Sequence, residues 1–177
     1  MGVDKDAFLK VFEEHSDGLF RHAFFRVSSR DKALDLTQDA FLKGWEYLRK
    51  GGDMRDPKNF LYRIMHNLII DEYRKSKSDS LDEVLEKAGD ATEEQFAEGS
   101  LAEIESSADD RMLTERVKDA VSELPDDYRA IVTLRFMEEL STKEIAPIVG
   151  VTENVVSVRI HRALIKLRGV LLAEENI

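Results

Sequence analysis

The chain has 177 residues, 42% of them hydrophobic and none of them cysteine. That length holds one or two small domains of roughly 100 residues each, and the lack of cysteine excludes a disulfide framework, a thiolate nucleophile and a sulfur-ligated zinc site. The net charge of −10, from 26 basic and 36 acidic residues, taken alone argues against a polyanionic partner.

The acid is local, however. Residues 1–75 hold 14 basic and 13 acidic residues, residues 76–110 hold 2 and 12, and residues 111–177 hold 10 and 11. The middle segment carries the whole excess, is rich in Ser, Gly, Ala and Glu, and has one aromatic, Phe96. It reads as an acidic flexible linker, with at most a short amphipathic turn around Leu81, Val84 and Leu85. No apolar run approaches the ~18 residues of a membrane span, so no membrane insertion is expected. Asp4, Asp6, Lys5 and Lys10 occupy the place of a signal peptide's apolar stretch, which predicts a cytoplasmic protein.

Both flanks read as helical, which predicts an all-α fold: two small helical domains, residues 1–77 and 111–177, around a linker over 78–110. Phe8, Leu9, Phe12, Leu19, Phe20, Ala23 and Phe24 recur at helical spacing over ~5–28, as one helix or two in series, interrupted at Ser28 and Ser29. A second helix is predicted from Asp31 to Arg49 with a core stripe of Leu34, Phe41, Trp45 and Leu48. After the loop at Lys50 to Asp53, Asp56 caps a third helix with Pro57 in its first turn, running to about Lys77 with Phe60, Leu61, Ile64, Met65, Leu68 and Ile69 inward.

Beyond the acidic segment, Met112, Leu113, Val117, Ala120, Val121 and Leu124 predict a helix ended by Pro125, and another runs from Asp126 to Met137. Ser141 and Glu144 form a capping box for a short helix that Gly150 ends. A last helix from Glu153 to about Leu172 turns Val156, Ile160, Ala163, Leu164 and Leu167 inward. Short helix, glycine turn and longer helix make a helix-turn-helix.

Three faces are candidates for function. From Asn154 to Arg168 every charged residue of the last helix is basic, Arg159, Arg162, Lys166 and Arg168, joined by Ser157 and His161. Such a face fits a DNA major groove, and equally a solvated cationic surface. Basic and aromatic residues interleave on the third helix, among them Arg55, Lys58, Asn59, Tyr62, Arg63, His66 and Asn67, then Tyr73, Arg74, Lys75 and Lys77. That suits a single strand, or an ordinary helix with core aromatics and an Asp71–Arg74 pair. Asp35, Gln38, Asp39 and Leu42 line one side of the second helix, as a partner surface or a wet face. The histidines, His15, His22, His66 and His161, are too scattered for a metal site, and neither a phosphate-binding glycine loop nor a nucleophile motif is present. No enzyme activity and no cofactor are expected.

In this order the parts resemble the extracytoplasmic-function (ECF) sigma factors, bacterial initiation factors that keep two sigma domains. ALDLTQDAFLKGW, Ala33 to Trp45, resembles their core-polymerase-binding helix. DPKNFLYRIMHNLIIDEYRK, Asp56 to Lys75, resembles the minus-10 recognition and melting helix, and Leu124 to Arg168 resembles the minus-35-reading domain. The resemblance implies an alternative sigma factor that binds core RNA polymerase, through the β′ clamp helices and the β flap, and directs it to promoter DNA. An anti-sigma factor is a further partner common in the family.

By the same resemblance, Asp35, Gln38, Asp39 and Leu42 face polymerase, with Phe41 and Trp45 mainly holding that helix in its own domain. Met54, Arg55 and Asp56 belong to the loop that captures a flipped minus-10 base; Lys58, Asn59, Arg63, Asn67, Arg74 and Lys75 follow the strand. Asn154, Ser157, Val158, His161 and Arg162 face the minus-35 groove, with Arg159 and Lys166 on phosphates. The linker would thread the polymerase cleft as an acidic stand-in for RNA. Leu34 stands where the family has glutamate, Ser157 and Val158 replace a basic residue and serine, and Pro147 lies inside the short helix. The rivals are a helical adaptor or decoy that binds polymerase without initiating, and a helix-turn-helix repressor.

Overall fold

Asp4 opens the first helix by accepting hydrogen bonds from the backbone N–H groups of Asp6 and Ala7. The computed structural model describes residues 4–83 and 108–175. Helix α1 spans Lys5–Val27 without a break, and Ser28, at a left-handed φ of 54°, ends it. Ser29 then caps α2, Arg30–Arg49. Asp56 caps α3, Pro57–Glu83, by accepting from the Asn59 backbone, and α3 runs six residues past its predicted end at Lys77. Helix α4 covers Ala108–Ser122, so both edges of the expected linker are helical. The rest of that segment, including Val84, Leu85 and Phe96, lies outside the described residues.

Helix α5 is shorter than predicted, Asp126–Val132, because Thr133–Met137 follows as a π-helical turn. The Thr133 hydroxyl donates back to the carbonyls of Arg129 and Ala130, and the Glu138 N–H reaches the Thr133 carbonyl five residues back. The widened turn swings Glu138 toward α1 and α3. The Ser141–Glu144 capping box opens α6, Thr142–Val149, with both reciprocal bonds formed. Pro147 does not break it, and Gly150 ends it at a φ of 72° that a side chain would strain. Helix α7 spans Glu153–Glu175.

Packing corrects several inward assignments. Along α1, Leu19, His22, Ala23 and Arg26 are buried, while Leu9 and Phe12 lie in the open. On α2 the inward stripe is Ala33, Leu36, Thr37, Ala40, Phe41 and Gly44, and Leu34 is 40% exposed. Small residues define that stripe because α2 crosses close to its neighbours: a Cβ on Gly44 would sit 3.2 Å from Leu61. Met112, Leu113, Val117 and Leu164, also predicted inward, are exposed.

One apolar cluster joins α1, α2 and α3 to the second half of the chain through Ile131, Leu134, Leu140, Ile145, Ile148 and Val156. A smaller cluster of Val121, Leu124, Val132 and Ala163 ties α4 and α5 to α7.

Candidate functional site

The α2 face is built as its spacing required. Asp35, Gln38 and Asp39 are exposed, and Leu42 is 56% exposed beside them. Their opposite neighbours fix the helix: Phe41 is buried with its ring 4.7 Å from Phe12 and 6.3 Å from Phe8, and the half-buried Trp45 packs 5.2 Å from Phe8. Phe41 therefore supports this face rather than forming part of it.

The α7 face is also open. Asn154, Ser157, Val158, His161, Arg162 and Lys166 are exposed, while Val156 and Ala163 anchor the helix from beneath. Thr142 donates to Glu153 at 2.8 Å and locks the start of α7 to the start of α6. The Ser157 hydroxyl donates to the Glu153 carbonyl. Arg159 is set apart, half-buried with its guanidinium 3.7 Å from the Asp127 carboxylate. The Glu144 carboxyl is held below the usual carboxylate range by its bonds to Ser141.

The third set of residues is divided. Arg63, Asn67, Arg74 and Lys75 are exposed along α3, Arg74 lying 3.7 Å from Asp71. Arg55 pairs with Asp53 in the loop at 2.7 Å, and Asp56 is held at the helix cap. Lys58 and Asn59 are only half exposed, since Lys58 donates to the Glu138 carbonyl at 2.8 Å and Asn59 reaches Glu144 at 3.4 Å. Met54, Asn59, Phe60 and Arg63 line a cleft whose other wall is Pro147 and Ile148 of α6. Tyr62 and Tyr73, which the sequence left open between a strand-binding face and the core, point inward: Tyr62 is 1% exposed, and the half-buried Tyr73 bonds the Arg26 carbonyl.

Sequence reasoning missed a buried polar network between the two halves. Arg26, its side chain fully buried, grips Asp126 with two bonds of 3.1 and 2.8 Å. Tyr62 donates to Glu138 at 2.5 Å, and His22 lies 3.1 Å from the Thr133 hydroxyl. Burial and the neighbouring Arg26 push His22 well below the usual histidine range and His66 down to about 4. Burial pushes the carboxyl of Glu138 up and, with Glu138 beside it, the Tyr62 phenol up. The available signal was an arginine on the buried stripe of α1, at three and seven residues from Ala23 and Leu19. Among the described residues no cluster of side chains fits a metal ion, and no helix is long and apolar enough to cross a membrane.

Two sequence-family models match the chain, one described as Sigma-70 region 2 over residues 11–78 and one as Sigma-70, region 4 over residues 114–167. The ECF RNA polymerase sigma factor SigW of Bacillus subtilis is 32% identical over 93% of this chain and 89% of its own length. The RNA polymerase sigma factor SigV of the same organism is 31% identical over 93% and 90%. Among solved structures, the sigma factor RpoE in complex with the anti-sigma factor NepR from Bartonella quintana shares the fold, with a TM-score of 0.71, 23% identity, and 93% and 96% of the two chains covered. CnrH in complex with the cytosolic domain of CnrY gives 0.65, at 24% identity over 96% and 90%.

Proposed function

The chain belongs to the ECF RNA polymerase sigma factors, and on that premise we propose how its three faces divide the work of an alternative sigma factor, which binds core polymerase and directs promoter-specific initiation. The observation that carries this reading is the separation of an exposed polar face on α2 from an exposed basic face on α7. A repressor would leave the α2 face without a use, and an adaptor would leave the α7 face without one.

Asp35, Gln38, Asp39 and Leu42 dock α2 on the polymerase clamp helices, two carboxylates and an amide around one apolar contact. Asn154, Ser157, Val158, His161 and Arg162 enter the minus-35 major groove, where small polar groups and one guanidinium read base edges. Arg159 and Lys166 steady phosphates, Arg159 after release from Asp127. The loop at Met54, Arg55 and Asp56 receives a flipped minus-10 base, while Lys58, Asn59, Arg63, Asn67, Arg74 and Lys75 hold the strand. Flipping costs a few kcal/mol of stacking, which a preformed pocket offsets. The chain catalyses nothing itself; its product is a placement of polymerase on DNA. It works in the cytoplasm, and an anti-sigma factor is a candidate regulator, as one binds the RpoE of similar fold.

Each half of the chain is close to neutral, so free chain grips DNA weakly, and polymerase supplies the geometry that lets both halves engage one promoter. Run-off transcription with purified core enzyme tests the function. A specific transcript only in the presence of the chain is expected. Polymerase binding without a transcript would favour the adaptor, and operator binding without polymerase the repressor.

A further inference from the structure

Taking the sigma-factor reading as given, we propose that Tyr47, which belongs to none of the three faces, is a positioning residue: its ring holds the minus-10 capture loop in one shape and thereby sets which flipped base the loop accepts.

The loop is poorly equipped to hold itself. Gly51 and Gly52 follow α2 almost directly, and glycine has more backbone freedom to lose than any other residue. Two bonds to the end of α2 close the turn. Gly51, at a left-handed φ of 87°, donates its N–H to the Leu48 carbonyl at 3.0 Å, and the Gly52 N–H donates to the Tyr47 carbonyl at 3.0 Å. This is a Schellman motif, in which the residues standing where Gly52 and Tyr47 stand commonly pack on each other. Here the packing is backbone on ring. A Cβ on Gly52 would overlap the Tyr47 ring, so the absence of a side chain is what lets the loop lie against it.

The same ring reaches the cleft. Tyr47 lies 4.7 Å from Phe60 with the two rings inclined at 35°. Phe60 lines the cleft of about 220 Å³ together with Asp53, Met54, Asn59 and Arg63. Met54 is the loop's second anchor on α2, its Cε 3.5 Å from where a Cβ on Gly44 would stand. Tyr47 therefore braces the start of the loop and one wall of the cleft at once. The ring is itself 41% exposed, so its removal takes little from the core and falls on these two contacts.

A flipped base is selected by the shape of the pocket that receives it. A loop ordered beforehand loses no further freedom on capture, and it cannot remodel itself around a wrong base. A loop released from Tyr47 accommodates several bases, each less well, and the preference flattens.

The test uses the full chain with Tyr47→Ala, which removes the ring, and Tyr47→Phe, which keeps it. Amide hydrogen exchange, followed by nuclear magnetic resonance, reads the loop directly. Gly52 should exchange about tenfold faster or more in Tyr47→Ala than in the unaltered chain, with the core amides of Ile69 and Val156 unchanged and Tyr47→Phe matching the unaltered chain. Transcription by core polymerase on barcoded templates, randomised at either the minus-10 or the minus-35 element, reads selection. Tyr47→Ala should lower the preference for the best minus-10 base about fivefold or more and leave the minus-35 preference intact, and Tyr47→Phe should keep both. Equal Gly52 exchange in Tyr47→Ala and the unaltered chain would overturn the proposal. So would an unchanged minus-10 preference, or an equal fall at both elements. Absence of any transcript with the unaltered chain would refute the sigma-factor function instead, while the Gly52 exchange still judges whether Tyr47 holds the loop.

Discussion

Replacing Gly18 by alanine should change stability in opposite directions depending on whether the two halves of the chain are together. Gly18 lies inside α1, where alanine normally gains about 1 kcal/mol over glycine. Here a Cβ would stand 2.7 Å from the Tyr62 hydroxyl and 3.0 Å from the Glu138 carboxylate, so the Tyr62–Glu138 bond must give way. A hydrogen bond to a charged group is worth about 1.5–3 kcal/mol. Set against the helical gain, Gly18→Ala should destabilise the unaltered chain by roughly 0.5–2 kcal/mol. In the Asp126→Arg chain, with Glu138 drawn away and the Tyr62 hydroxyl able to move, the same substitution should stabilise by up to about 1 kcal/mol. Urea denaturation of the four chains, followed by helical circular dichroism, gives both differences from the midpoints. An equal gain in both backgrounds would mean that Tyr62 and Glu138 do not meet over Gly18, and would refute the packing at this seam.

Arg162→Glu should remove one guanidinium-to-base contact worth about 1–3 kcal/mol; run-off assays on a cognate promoter with and without its minus-35 element should show discrimination falling at least fivefold, with core binding unchanged. Asp39→Lys reverses an exposed charge on α2 and should weaken core-polymerase binding about tenfold or more, measured by titration of a labelled chain, with helical content preserved. Acidification should weaken the packing of the two halves against each other, the closed arrangement. His22 and His66 titrate lower in the closed chain than in water, so closure is fully favoured above the usual histidine range near 6.5 and weakens as pH falls toward the value of about 4 at His66. Arg26, Asp126 and Asp127 face His66, and Arg21, Lys58 and His15 face Glu138. The raised carboxyl of Glu138 binds its proton more readily when closed and opposes opening at the acid end. The urea midpoint of the chain should therefore fall between pH 7 and 5.5, and a midpoint constant over that range would count against histidine control.

Local chemistry announced the elements well, and packing announced itself poorly. Asp4, Ser29, Asp56 and Ser141 sit at helix starts because a short acceptor side chain reaches the free N–H groups two or three residues on. The exposed face of α2 was legible because polar residues at helical spacing have nowhere else to go. Leu34 was misread because the buried stripe of α2 is built on Ala33, Ala40 and Gly44; residues this small signal closeness and carry little hydrophobicity. The π-helical turn at Thr133–Met137, where the Glu138 N–H reaches back five residues to the Thr133 carbonyl, leaves no mark in apolar periodicity. Arg26 and Asp126 stand 100 residues apart in the chain, and their union is a property of the folded whole.

The composition of that union follows from what it has to do. Arg26 donates to Asp126, Tyr62 donates to Glu138 and His22 meets Thr133, all beside the apolar cluster of Ile131, Leu134, Leu140, Ile145 and Ile148 that also joins the halves. Buried ionic pairs gain little net stability over apolar packing, since desolvation takes back most of their attraction. They are also geometrically demanding, which favours one register of the two halves. The net charge of −10 belongs to the same design, because its acid is concentrated in residues 76–110 and leaves each half near neutral. The halves then meet without strong mutual repulsion, and the buried charges at the seam add their geometric demands to the apolar cluster that the halves share.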